Sequence, residues 1–157
     1  MYSQHVDIRH PVAGQSWVAA GDLILVHCAT LVSAVTVREL VSYSARRTEP
    51  PKLAIIYVLE GTVLGVPDEL CRAAFVDLSR HGERIYSSVS VVIPAGFASS
   101  IVRAFVGSVR LMSRAKLPME LSQDTHEAID WARKHAAPGM NLPSTPLIHE
   151  LLAKMRT

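Results

Sequence analysis

Short uninterrupted apolar runs alternate along this chain with longer stretches in which apolar positions return every three or four residues. "LILVHC" (23–28) and "LAIIYVL" (53–59) are runs of the first kind, and the second is rich in β-branched types. Their length and composition predict strands buried on both faces. "YSSVSVVI" (86–93) alternates and then turns wholly apolar, which predicts a third core strand. Ahead of these, "SWVAA" and the turn residues Gly21-Asp22 predict a hairpin arm. A further strand near Val6 to Ile8 is weakly signalled, and "PMELS" (118–122) predicts a short one.

Between the strands the period lengthens to that of a helix. Thr36 with Glu39 reads as a capping box, Val35 and Leu40 as its staple, and Val37, Leu40, Val41 and Ser44 share a face. Pro50 and Pro51 stop that helix, which ends by Arg47. Pro67 suits the first position of a second helix, with Asp68 and Glu69 beside its positive end, running to about Ser79 with Gly82 as a stop. A third covers 101–116, and Asp124 with Glu127 caps a fourth that reaches about His135. After "APGMNLPSTP", Thr145 caps and Pro146 opens a last helix, with Leu147, Ile148, Leu151, Leu152 and Met155 along one side. Burial on its own domain, on a neighbouring subunit or in a partner's groove would each satisfy that stripe.

Strands alternating with helices imply parallel pairing through right-handed crossovers. The expectation is therefore an α/β fold, with a mixed, mostly parallel sheet of four or five strands, antiparallel only at its N-terminal end. Residues 1–137 would form the domain, 138–145 a Pro/Gly-rich connector, and 146–157 an appended amphipathic helix.

Four stretches, "GDLILVHC", "LAIIYVLEG", "SVSVVIPAGFASSIVRAFV" and "MELSQDTHEAIDWA", resemble the STAS-like superfamily, the fold of anti-sigma-factor antagonists and of sulfate-transporter tails. Within it, the nearest likeness is to bacterial proteins labelled STAS/SEC14-like. The likeness covers roughly residues 15 to 135 and rests on pattern. It implies a single-domain STAS-like sandwich and a regulatory or protein-interaction role. Phosphorylatable members of the superfamily carry an Asp-Ser-x-Gly-type segment where the central strand feeds the second helix. Here that segment reads "EGTVLGVPDEL", without a serine, so Thr62 is the single candidate phosphoacceptor.

Length and composition add bounds. A chain of 157 residues suits one domain, and no run approaches the ~20 apolar residues that span a bilayer. The polar N-terminus does not suit a signal peptide, which leaves a cytoplasmic expectation. Cys28 and Cys71 both fall on apolar faces and read as small buried hydrophobes. A net charge of +2 does not imply nucleic-acid binding, so the electrostatic argument rests on where charge sits.

Its placement is uneven. Residues 84–119 hold five positive charges and no carboxylate, leaving the remainder at −3. On a helix, Arg103, Arg110 and Arg114 fall within about 40° of one another. Ile101, Phe105 and Met112 lie opposite, Val109 borders them, and Lys116 follows. Solvated helix faces usually mix charge signs, because a carboxylate one turn from a cation stabilises the helix. Either another segment of this chain neutralises the stripe or an acidic partner, an anionic ligand or an anionic surface does.

Catalytic constellations are not legible. "PAGFASS" has a strand-to-helix turn but places its serines at the helix start, where they cap. "EGTVLG" lacks the Lys-Ser/Thr of a P-loop, and no three histidines or carboxylates share a metal-binding spacing. His27, in an apolar strand, requires a hydrogen-bond partner. The functional expectation is a non-catalytic regulatory or interaction module that docks an acidic or anionic partner through Arg103, Arg110, Arg114 and Lys116. No cofactor, metal or nucleic acid is expected, and a homodimer is left open. A SEC14-like small-molecule or lipid binder is the alternative, and an enzyme of unassigned reaction comes third.

Overall fold

The computed structural model describes residues 6–30, 33–46, 52–60, 68–93, 98–113 and 117–156. Six strands form one mixed sheet: β1 (Arg9–Val12), β2 (Gln15–Ala20), β3 (Leu23–Cys28), β4 (Leu53–Leu59), β5 (Tyr86–Val92) and β6 (Met119–Ser122). They lie side by side in chain order, with β1, β2 and β3 antiparallel and β3 to β6 parallel. The expected four or five strands are thus corrected to six. The weak N-terminal strand forms at Arg9–Val12 rather than 6–8, because there its backbone pairs with Trp17 and Gln15 across the Gly14 turn.

Helices α1 (Ala34–Ala45), α2 (Glu69–Ile85) and α3 (Ala98–Ser113) make the crossovers, followed by α4 (Thr125–Lys134) and α5 (Thr145–Met155). Three crossovers that step the same way across a sheet with the same hand must fall on the same face. Residues of α1, α2 and α3 accordingly bury against Ile24, Val26, Ile55, Tyr57, Val89 and Val91. The alternate strand residues, including Leu23, Leu25, Ala54, Ile56 and Val58, face the other way and need cover of their own. Helices α4 and α5 provide it through Ala128, Ile129, Ala132, Ile148, Leu151, Leu152 and Met155, with Val6, Ile8, Met140 and Leu142 packed beside them. The apolar stripe of α5 is therefore buried on its own sheet.

Several helix ends differ from the sequence reading. The N-cap of α1 is Ser33, whose Oγ accepts from Thr36 N. Thr36 is instead drawn into a buried cluster, where its hydroxyl donates to Gln15 Oε1. Asp68 caps α2, accepting from Cys71 N at 2.8 Å, whereas α4 starts as expected, with Asp124 accepting from Glu127 N at 2.8 Å. Helix α2 runs through Gly82 to Ile85, since packing favours a residue without a side chain there: a Cβ would come within 3.0 Å of Leu117 and 3.2 Å of Tyr86. Ser144 rather than Thr145 caps α5, moving Pro146 to its second position.

The connector is tied down by a long-range pair. Asn141 N donates to Asp22 Oδ2 at 2.6 Å, and Asp22 N donates to Asn141 O at 2.9 Å. Gly21 allows this approach: its φ is +55°, and a Cβ there would lie 2.5 Å from Asn141 O.

Candidate functional site

Two places bear on function: the exposed end of α3 and a charged cluster at the carboxyl ends of β3 and β4. Helix α3 packs on α2 and the sheet through Phe105 and Val109, both buried, with Phe105 edge-on to Phe75 and beneath the Arg72 guanidinium. Arg103 and Arg110 are exposed on its outer side. Arg110 reaches the start of β6, where Nη2 donates to Met119 O at 2.8 Å. Arg114, Lys116 and Thr62 lie outside the described residues.

Met112 was expected on the buried side, yet it is 51% exposed, and its neighbour Leu111 is 81% exposed. The last turn of α3 thus exposes Leu111, about 100° round the helix from Arg110, and Met112 on the side away from the arginines. Helix α5 lies across the sheet from α3 and so is not a segment of this chain that neutralises the stripe.

The second cluster begins with His27. Its side chain points to the α4/α5 face, and Nε2 meets Glu60 Oε2 at 2.9 Å. A carboxylate can only accept, so this nitrogen carries the proton. Glu60 directly follows β4 and continues the ladder through Glu60 N to Cys28 O at 2.9 Å. The same carboxylate accepts Arg156 Nε at 2.8 and 2.9 Å and the Arg156 Nη2. Arg156 hydrogen bonding, with a smaller contribution from His27, holds the Glu60 carboxyl below its ordinary range against the opposing effect of burial. Across the β2–β3 ladder from His27 stands Ser16, whose buried hydroxyl has no partner among the described residues.

The partner of His27 was the part of this cluster the sequence demanded; its identity was not legible. Glu60 and Arg156 are 96 positions apart and carry no shared motif. A second missed hub is Gln15, whose Oε1 accepts from Ser33 N at 3.3 Å and from Thr36, while Nε2 donates to Thr30 Oγ1 at 3.3 Å.

The thiols are poorly suited to nucleophilic work. Burial pushes Cys28 up to about 12, helped by nearby Cys71, and burial pushes Cys71 up to about 12, helped by Asp68. Both are free thiols and stay protonated at neutral pH. Among the described residues no group of three or more His, Cys, Asp or Glu could hold a metal, and no helix is long and apolar enough to cross a membrane. The strand order never reverses, so the parallel strands lack the switch point that opens a ligand crevice in doubly wound sheets. Between the sheet and α4/α5, a gap bounded by Leu23, Ile56, Ile129 and Ile148 measures about 10 Å³, too small for an acyl chain.

No family model matches this chain, and no curated protein matches it in sequence.

Proposed function

We propose that this protein is a STAS-like interaction module that binds an acidic protein segment on the outer face of α3. The observation that carries this reading is the exposure of Leu111 next to Arg110, with Arg103 two turns away on the same helix. Leu111 supplies apolar area to bury, and the cations beside it select a partner that brings carboxylates. The partner would lay an amphipathic acidic stretch along the helix, placing an apolar position on Leu111. Residues 84–119 hold five positive charges and no carboxylate, so the charge of this segment matches an acidic partner.

The family reading rests on the alternation of strands and helices from β3 to α4 and on the stretches that carry the resemblance. A cytoplasmic location agrees with the two free thiols. The module would act by binding, without a cofactor or nucleic acid, and Thr62 would be the phosphoacceptor if the superfamily's switch operates.

The test compares capture by the wild-type protein with capture by Arg103→Glu and Leu111→Ser variants shown to be folded by circular dichroism. An acidic protein retained by the wild type, eluted by raised salt and lost from both variants supports the reading. Retention unaffected by either substitution, or by salt, overturns it.

A further inference from the structure

The helix layer on the second face of the sheet carries a pair of imidazoles at its outer side. His126 lies in the first turn of α4 and His149 midway along α5, and both are exposed. Ile129, one turn on from His126, and Ile148, next to His149, both border the small gap beside Leu23 and Ile56. Packing of the two helices on that common ground brings the rings together. Their centroids are 5.2 Å apart and their planes are tilted by 56°.

These rings are otherwise uncommitted. His27 and His135 each engage a ring nitrogen, the first with Glu60 at 2.9 Å and the second with Trp131 O at 2.9 Å. His126 and His149 make no hydrogen bond or ion pair among the described residues. With no partner to fix the tautomer, either nitrogen of each ring can present the lone pair that a metal ion takes. At Zn–N distances of about 2.0–2.1 Å and a tetrahedral angle, two imidazoles on one ion have centroids roughly 5 Å apart. The observed spacing meets that requirement without movement of either helix.

The surrounding charge also suits a cation. The start of α4 carries about half a unit of positive charge, but Asp124 and Glu127 set two full carboxylates against it. Asp130 adds a third acid one turn on from His126, and Arg133 is drawn away to Pro143 O at 2.8 Å and Thr145 Oγ1 at 3.3 Å. No third His, Cys, Asp or Glu completes a ligand group among the described residues, which leaves the remaining coordination positions to water.

We infer that His126 and His149 bind zinc(II) through two imidazoles and thereby clip α5 to α4. Magnesium and calcium, which take oxygen ligands, are not expected at this site. Because the two helices cover the second face of the sheet, an ion held between them stabilises the folded chain by mass action. The inference is independent of the α3 surface, which lies on the opposite face.

The test uses the full chain, stripped of metal with a chelator and dialysed. Thermal melts are recorded with zinc chloride or magnesium chloride, alongside proton–nitrogen correlation spectra of the imidazoles. Zinc is expected to raise the melting temperature in a saturable manner and to shift the ring signals of His126 and His149, with those of His27 and His135 in place. Magnesium is expected to do neither. His126→Gln and His149→Gln, both at exposed positions, are each expected to fold and to lose the zinc-dependent rise. Ring signals of His126 and His149 unmoved by zinc, an equal response to magnesium, a rise kept in either variant, or zinc-dependent dimerisation in sedimentation would each overturn the assignment.

Discussion

Glu60 accepts from His27 and Arg156 at once, so one carboxylate joins the ends of β3 and β4 to the end of α5. Its carboxyl is held below the ordinary 4.5 of a glutamate. A group with a lowered folded pKa contributes stability above its unfolded value and loses it as pH falls. Wild-type stability should therefore decline on acidification below about pH 4.5, with a smaller decline in Glu60→Gln, as measured by urea unfolding across a pH series. Because Glu60 and Arg156 are partly exposed, Arg156→Ala should cost only about 1 kcal/mol at neutral pH. An equal acid dependence in the wild type and Glu60→Gln would remove this carboxylate from the account.

At the scale of elements, two glycines in helices have opposite reasons to be there. Gly82 in α2 faces Leu117 and Tyr86, and Tyr86 is fixed by its bond to Ser44, so an added methyl group has little room. Gly82→Ala should destabilise by about 1 kcal/mol, overpacking outweighing the gain in helix propensity. A Cβ at Gly107 in α3 meets nothing within 4 Å. Gly107→Ala should stabilise the protein by roughly 0.5–1 kcal/mol in denaturant unfolding. Its effect on partner capture is informative as well: a methyl group there would obstruct a segment lying directly against the α3 backbone.

For the whole molecule, the decisive fact is that the sheet has two apolar faces and the crossovers cover one. A chain ending at Leu142 would leave Leu25, Ile56 and Val58 without the cover of Ile148, Leu151, Leu152 and Met155. Such a chain should lose cooperative unfolding and bind a hydrophobic dye, read by thermal melts and fluorescence. Leu152→Ala, within α5 and 1% exposed, should cost about 2–5 kcal/mol. Folding as cooperative as that of the full chain after truncation would make α5 an appendage after all.

Much of the architecture was legible locally. "LILVHC" and "LAIIYVL" are strands because apolar and β-branched residues fill them without a helical period. Asp124 with Glu127 marked the start of α4 because a capping side chain must sit within a few residues of the amide it satisfies. The need of His27 for a partner was legible too, since a buried imidazole cannot stay unbonded without cost. Its answer, Glu60 with Arg156, was not, because neither position carries a local pattern pointing to the other. Local periodicity determined the elements, their order and the mixed character of the sheet. Tertiary structure alone decided that Ser33 displaces Thr36 as a cap, that α5 closes the second face, that Leu111 and Met112 stay exposed, and that His126 meets His149. Each of those outcomes depends on which distant surfaces meet, and chain order sets no distance between residues that only folding brings together.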